Sequence, residues 1–152
     1  MSAPDLSDGR ELMKLGRDEC LRLLATVSVG RVIFTVRALP AVRIMNFVLA
    51  DDLVVLRTDD GATVARKAAG SIVTFEADSF DTASSSGWYV TVTGWAEMVA
   101  DPELVTRYES LPLVPWAPGM RERFLVIRPE AVEGQRIVSH PVPVAPVVPP
   151  GA

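Results

Sequence analysis

Histidine and cysteine are almost absent from this 152-residue chain, which contains one of each. A single cysteine, Cys20, cannot form an internal disulfide, as is typical of proteins kept in a reducing cytoplasm. The one histidine, His140, lies in a proline-rich tail, so neither a Ser-His-Asp triad nor a Cys-His pair is expected. The same scarcity argues against a transition-metal site with His and Cys ligands.

Three further absences narrow the classes of function. No apolar run approaches the roughly 20 residues that a membrane-spanning helix needs, and the N-terminal residues lack the basic-then-apolar order of a signal peptide. Neither GxGxxG nor GxxxxGK[ST] occurs, so the Rossmann and P-loop phosphate grips are missing. A formal charge of −4 and a pI of about 5.0 disfavour a nucleic-acid surface. We therefore expect a cytoplasmic protein that binds neither membranes nor nucleic acids.

Apolar and polar residues alternate through most of the chain, and β-branched residues are frequent, as in half-buried strands. Strands are predicted over residues 31–36, 41–50, 53–58, 71–78 and 88–100, with one long or two short strands over 122–138. Asp51 and Asp52 predict a tight hairpin turn. Gly94, in the middle of the longest strand, predicts either a bulge or the close approach of another backbone. The segment 79–87 is predicted to be a polar loop, and Glu76 is expected to face solvent.

Three short helices are predicted, near residues 16–27, 61–69 and 101–111. The third has an N-cap, Asp101, followed by Pro102 at the first helical position, and Gly70 is the expected C-cap of the second. Six or so antiparallel strands with peripheral helices predict a mainly β protein built as a small closed barrel. We expect a flexible arm over residues 1–14, one barrel domain over 15–138 and a disordered proline-rich tail over 139–152.

Six sequence words in a fixed order resemble the flavin-binding split-barrel proteins related to pyridoxamine 5′-phosphate oxidase, and their actinobacterial branch in particular. The words are LLATVSVGRVIFTV, PAVRIMNFVLADDLVVLRT, VTFEAD, SGWYVTVTGWAEMV, LPLVPWAPG and FLVIRPEAVEGQRI. The resemblance covers about residues 15–137 and implies an FMN-binding split barrel. It also implies a homodimer with two flavin sites between the subunits, and oxidoreductase chemistry with FMN or a deazaflavin on an unidentified small molecule.

The resemblance also implies which residues contact the cofactor. Carried over position by position, they are Arg43, Met45, Asn46, Arg57, Thr58, Gly61, Thr63, Trp88 and Trp116. Lys67 is added from its spacing, because Arg66 and Lys67 lie one helical turn beyond Thr63 and one of them could share its face. The first three would flank the flavin ring, and the residues from Arg57 to Lys67 would hold the phosphate. The two tryptophans match positions near the partner's cofactor or in the dimer interface, so one of them is expected on the dimer face.

The stretch VLRTDDGATVARKAA carries opposing signals for phosphate binding. Its strand-turn-helix order presents backbone N–H groups to an anion. However, Thr63 stands where relatives often carry lysine, and Asp59 and Asp60 precede it. Two interpretations stay open: a phosphate grip, or a helix start that one of the acids caps and whose arginines pair with both. The alternative function is a non-catalytic dimeric split-barrel module that has lost its flavin or binds it weakly.

Overall fold

The computed structural model describes residues 9–116, 118–119, 122–140 and 146–151. Eight strands and three short helices follow one another along this part of the chain. They are β1 (Arg10–Lys14), α1 (Arg17–Leu24), β2 (Val29–Val36), β3 (Leu39–Ala50), β4 (Leu53–Thr58), α2 (Thr63–Lys67), β5 (Ser71–Asp81), β6 (Ser86–Met98), α3 (Pro102–Glu109), β7 (Arg123–Ile127) and β8 (Ala131–Ser139).

Six antiparallel strands close into a barrel in the order β6-β5-β2-β3-β4-β7, because β7 pairs back onto β6. The length of β6 allows it to serve two neighbours on the same side. Its first part, Gly87–Thr93, pairs with β8, and its last part, Ala96–Met98, pairs with β7. Strand β1 then extends the sheet beyond β8. The predicted six-stranded, mainly β barrel with peripheral helices is confirmed.

In β2, β5 and β6 the barrel interior is built by alternation of buried and more exposed residues along the strand. In β6 the predicted inward set is buried, namely Trp88, Val90, Val92, Gly94 and Ala96. At the centre of the barrel, the rings of Phe47 and Phe75 pack edge to face with centroids 4.6 Å apart. A second cluster, which includes Tyr108, Leu113 and Phe124, lies between α3 and the sheet. Burial of such side chains stabilises the fold by about 1.5–3 kcal/mol each.

One turn and one close contact follow the sequence signals. Asp51 and Asp52 both have left-handed backbone angles, with φ of 53° and 60°, as a two-residue hairpin turn requires. At Gly94 an added Cβ would lie 1.6 Å from the carbonyl oxygen of Arg128. The pairing of β5 with β6 is continuous through this residue, so the glycine permits close approach of a backbone and does not mark a bulge.

The predicted arm and the predicted polar loop are partly wrong. Residues 10–14 form strand β1, which is fully paired with β8 but exposed along its length, and such an edge strand carries no hydrophobic signal. Residues 79–81 and 86–87 continue β5 and β6, which leaves a turn of only four residues. Ser139 belongs to β8 and the His140 N–H donates to the Gly9 carbonyl at 2.6 Å, so the tail begins later than expected. The remaining predictions for residues 1–8, 141–145 and 152 lie outside the described residues.

The helices are shorter than their sequence patterns indicate. Helix α2 has five residues, and the left-handed residue after it is Gly70, with φ of 79°. Helix α3 begins as predicted, with Pro102 in its first turn and the Asp101 carboxylate accepting the Glu103 N–H at 2.9 Å. Within the described ranges no helix has the length and apolarity needed to cross a lipid bilayer.

Candidate functional site

A cleft opens where strands β3 and β4 separate. Their ladder runs from Ala50 opposite Leu53 to Phe47 opposite Leu56 and ends there. Beyond that point β3 stays paired with β2, so that Asn46 lies opposite Val29, while β4 stays paired with β7. The two strands therefore diverge at Asn46 and Arg57, and this divergence splits the barrel wall.

The cleft has a volume of about 300 Å³. Strand β3 provides one side, the end of β4 and the start of α2 provide the other, and the loop after α3 closes the top. The lining residues are Val29, Arg43, Ile44, Met45, Asn46, Arg57, Thr58, Ala62, Thr63, Val64, Pro115 and Trp116. Most of the predicted cofactor contacts are therefore brought together in one place, although they come from segments far apart in the sequence.

Thr58 has the most unusual environment in the cleft. It is the last residue of β4 and is completely buried, yet its hydroxyl has no hydrogen-bond partner among the described residues. An unsatisfied buried hydroxyl costs about 1–3 kcal/mol. A polar atom left in this state at the floor of a cleft is the kind of group that a bound ligand or water satisfies.

Two arginines are held at the cleft by aromatic rings. The guanidinium carbon of Arg43 lies 5.9 Å from the ring centroid of Phe34, and one of its nitrogens donates to the Val42 carbonyl at 2.8 Å. The guanidinium carbon of Arg57 lies 5.4 Å from the ring centroid of Phe124. These cation-π contacts fix two positive charges on either side of the split.

The turn before α2 differs from the helix-start interpretation. The N-cap residue is Ala62, which has no side-chain acceptor. The Asp60 carboxylate accepts from Arg123 on β7 at 2.5 Å, instead of pairing with an arginine of the turn or of α2. Sequence reasoning missed Arg123 because it lies 63 positions away from Asp60. The positive charge opposite Asp60 therefore comes from β7, the strand that pairs with β4.

Trp116 forms an exposed wall of the cleft. Its backbone N–H donates to the Asn46 side-chain oxygen at 2.8 Å, and the residue is 76% exposed. Five apolar lining residues are not among the predicted contacts, namely Val29, Ile44, Ala62, Val64 and Pro115. Their hydrophobicity alone gave no signal to distinguish them from core residues.

Three predicted contacts lie outside the cleft. Gly61 and Lys67 are exposed near the start and at the end of α2. Trp88 is 8% exposed in the barrel interior, so it offers little area to a dimer face. It borders a second cavity of about 290 Å³, beside Arg136. A cofactor contact from these three residues stays a prediction.

Glu76 is not the solvated outward residue that its position in the sequence predicts. It does lie on the outer face of β5, but its side chain is only 17% exposed, and Arg31 donates to it at 3.0 Å and to Asp78 at 3.1 Å. Burial and the neighbouring Asp78 raise the pKa of Glu76 to about 7, against the opposing effect of Arg31. This cluster lies on the outer face, and none of its three residues lines the cleft, although Arg31 is paired with the lining residue Ile44. In the described part of the chain no group of His, Cys, Asp and Glu is arranged to hold a metal ion.

Both the sequence and the fold of this chain are similar to those of known proteins. The sequence profile described as pyridoxamine 5′-phosphate oxidase matches residues 16–136. An uncharacterized protein of Mycobacterium tuberculosis, Rv0080, is 45% identical over 135 residues, which are 86% of this chain and 88% of the relative. The solved structure of an FAD binding protein from Mycobacterium smegmatis has a TM-score of 0.72 and 29% identity, over 84% of this chain and 99% of that one. A conserved protein of unknown function from Corynebacterium diphtheriae has a TM-score of 0.70 and 30% identity, over 84% and 98% of the two chains.

Proposed function

Because this chain belongs to the pyridoxamine 5′-phosphate oxidase family, we propose that its cleft binds a flavin and that the protein is a flavin-dependent oxidoreductase. FMN is the leading cofactor, with a deazaflavin as the alternative, and the name of the M. smegmatis relative adds FAD to the flavins to be tried. We also propose that the protein is located in the cytoplasm, because the single thiol, on the buried Cys20, stays reduced there.

The observation that carries the proposal is the buried Thr58 hydroxyl, which has no hydrogen-bond partner among the described residues and lies in a cleft that Arg43 and Arg57 also line. A flavin has a planar apolar ring and a polar, anionic side chain, and the cleft offers matching surfaces for each. Met45, Ile44 and Trp116 would pack against the ring, while Thr58 and Arg57 would hold the anionic chain. Arginine suits this task because its planar fork can donate two hydrogen bonds to a phosphate.

When bound, a flavin supplies electron and hydride transfer, while the protein supplies binding, orientation and the electrostatic environment. Arg43 would provide a fixed positive charge beside the ring, which favours its anionic reduced form. Replacement of Arg43 by Ala should therefore lower the reduction potential of the bound flavin. If Arg43→Ala changes neither the flavin affinity nor the reduction potential of the bound flavin, Arg43 is not part of the site.

The first test is a visible absorption spectrum of the purified protein, followed by titration with FMN, FAD and a deazaflavin. Thr58→Val then separates binding from stability. Without a hydrogen-bond partner to lose, the free protein should be as stable as wild type or more stable, because a buried unsatisfied group has been removed. Flavin should bind about tenfold more weakly, equivalent to about 1.4 kcal/mol.

Thr74→Val is the matched control for Thr58→Val. The Thr74 hydroxyl bonds Thr93 at 3.0 Å on the outer face of the sheet. Its loss should reduce stability and leave flavin affinity unchanged, which is the opposite pattern. Equal flavin affinity in wild type and Thr58→Val would refute the assignment of Thr58, and no saturable binding of any of the three flavins would refute the proposed cofactor.

We also propose that the protein is a homodimer. On the outer face of the barrel, Val42, Ile44, Ile72 and Trp95 are between 39% and 70% exposed. A large exposed apolar area on a folded protein marks an interaction surface. Light scattering at micromolar concentration should give twice the chain mass, and Ile72→Asp should lower that mass. Val147→Asp, at an 87% exposed tail position, is the control that should not. A monomeric mass for the wild-type protein would refute the proposed dimer.

The second candidate function is a non-catalytic module, and it is favoured by the two acids in the turn before α2, Asp59 and Asp60. Thr63 lines the cleft at a position where the family resemblance implies a lysine, and Asp60 stands in the same turn. Thr63→Lys separates the two candidates. If the cleft is a weakened flavin site, the new ammonium should tighten FMN binding by about 1–3 kcal/mol. If the site has been lost, wild type and Thr63→Lys should both remain colourless and bind no FMN.

A further inference from the structure

The loop that leads from α3 towards β7 is tied to the barrel at two points. Leu113 is 2% exposed and packs in the cluster beneath α3. Farther along, the Trp116 N–H donates to the Asn46 side-chain oxygen at 2.8 Å. Val114, between them, is 75% exposed, and Pro115 has no N–H to donate. Within the described part of this loop, the bond from the Trp116 N–H to the Asn46 side chain is therefore the hydrogen bond that links the loop to β3.

The Asn46 amide spans two protein segments and is not aimed only at the cleft. Its nitrogen donates to the Ser28 carbonyl at 3.4 Å, next to Val29 on β2, while its oxygen accepts from Trp116. Asn46 is also the first residue of β3 beyond the end of the β3-β4 ladder. Where β4 would otherwise continue the sheet, the loop meets β3 through this side chain.

We propose that Asn46 is a positioning residue that holds Trp116 as a wall of the cleft and acts on a planar ligand through that indole. This differs from the ring contact that the family resemblance implies for Asn46. The inference rests on the proposed function, since the planar ligand is the flavin. The physical reason is preorganisation: a loop already fixed in its binding position loses less conformational freedom when the ligand arrives.

A double-mutant cycle with FMN as the ligand tests this coupling. Asn46→Ala should weaken FMN binding about three- to tenfold, because loss of one hydrogen bond lowers the fraction of protein with the loop in place. In a Trp116→Ala background, which keeps the backbone N–H but removes the indole, Asn46→Ala should cause no further loss. Additive effects would mean that Asn46 acts on the ligand directly, and would overturn the inference.

A measurement on the ligand-free protein keeps the inference independent of flavin binding. Labelling with ¹⁵N-tryptophan gives backbone amide signals for Trp88, Trp95 and Trp116, of which the first two serve as internal controls. Asn46→Ala should lower the heteronuclear NOE of Trp116 alone and speed its amide exchange. Asn46→Asp keeps the acceptor oxygen and should retain both values.

The possible outcomes are distinct. An unchanged Trp116 amide in Asn46→Ala would overturn the positioning role, whatever the protein binds. Weaker FMN binding that depends on Trp116, together with a mobile Trp116 amide, would support it. If wild type binds no flavin at all, the proposed function fails, and the amide measurements alone decide whether Asn46 holds Trp116 in place.

Discussion

Glu76 should make the stability of this protein fall as the pH rises from about 5 to about 8. Its carboxyl lies on the outer face of β5 and is mostly buried. Burial is the main cause that raises its pKa, and Asp78 adds to the effect. Arg31 opposes both, yet the pKa still moves from an ordinary 4.5 to about 7. Through most of this range the native state holds a proton that the unfolded chain has released.

The sign and size of the effect follow from proton counting. Where the native state binds more protons than the unfolded chain, the free energy of unfolding falls as pH rises. The contribution of Glu76 is complete below about pH 4.5 and is lost as the pH passes about 7. A difference of about 2.5 between the two pKa values, at 1.36 kcal/mol for each unit, sets a ceiling of about 3 kcal/mol.

Urea unfolding followed by far-UV circular dichroism, at four pH values between about 5 and 8 and one protein concentration, measures this slope. Glu76→Gln removes the titration, so it should flatten the slope and raise stability at the alkaline end. Glu97→Gln is the control: Glu97 also pairs with an arginine, Arg128, at 2.9 Å, but Glu76 is retained and the slope should persist. Asp81, whose pKa is lowered by the Ala83 N–H, titrates below this range. Equal slopes in wild type and Glu76→Gln would refute the reasoning.

Two further substitutions test the fold by the same unfolding assay. Gly94→Ala should destabilise the protein by about 1–3 kcal/mol or more, since the new methyl would overlap a backbone carbonyl that cannot move aside. Gly16→Ala, with nothing near its added Cβ, is the matched control, and a mild Gly94→Ala would contradict the close packing. Asp101→Ala should cost about 1 kcal/mol by removing the α3 cap, and Asp101→Asn should restore most of it. No loss in Asp101→Ala would mean that the cap is not needed.

Most of the barrel could be predicted from local patterns. The alternation in β6 identified which residues face inward, and the paired aspartates identified the turn between β3 and β4. Strand β1 was missed because all of its residues are exposed, so its only structural signal is pairing with β8. The same limit applied to Glu76, since alternation tells which face a side chain takes but not what covers that face.

The candidate site was predictable only in part, and only through the family resemblance. That resemblance indicated seven residues that the structure gathers in one cleft, namely Arg43, Met45, Asn46, Arg57, Thr58, Thr63 and Trp116. It could not indicate that Thr58 would lack a hydrogen-bond partner in the described part of the chain, or that Arg123 would pair with Asp60. Such facts depend on how strands of different lengths align after the barrel closes.

The sequence by itself determined the class of the fold, because alternation, turn residues and helix caps act between neighbours in the chain. Tertiary structure alone decided which distant residues meet. Asn46 and Trp116 are 70 positions apart, and they touch because β3 and β4 separate at one point, into which the loop after α3 enters. The place of that separation is set by the pairing of β3 with β2 and of β4 with β7. Ladder register is a property of strand pairs, so no single stretch of the sequence contains it.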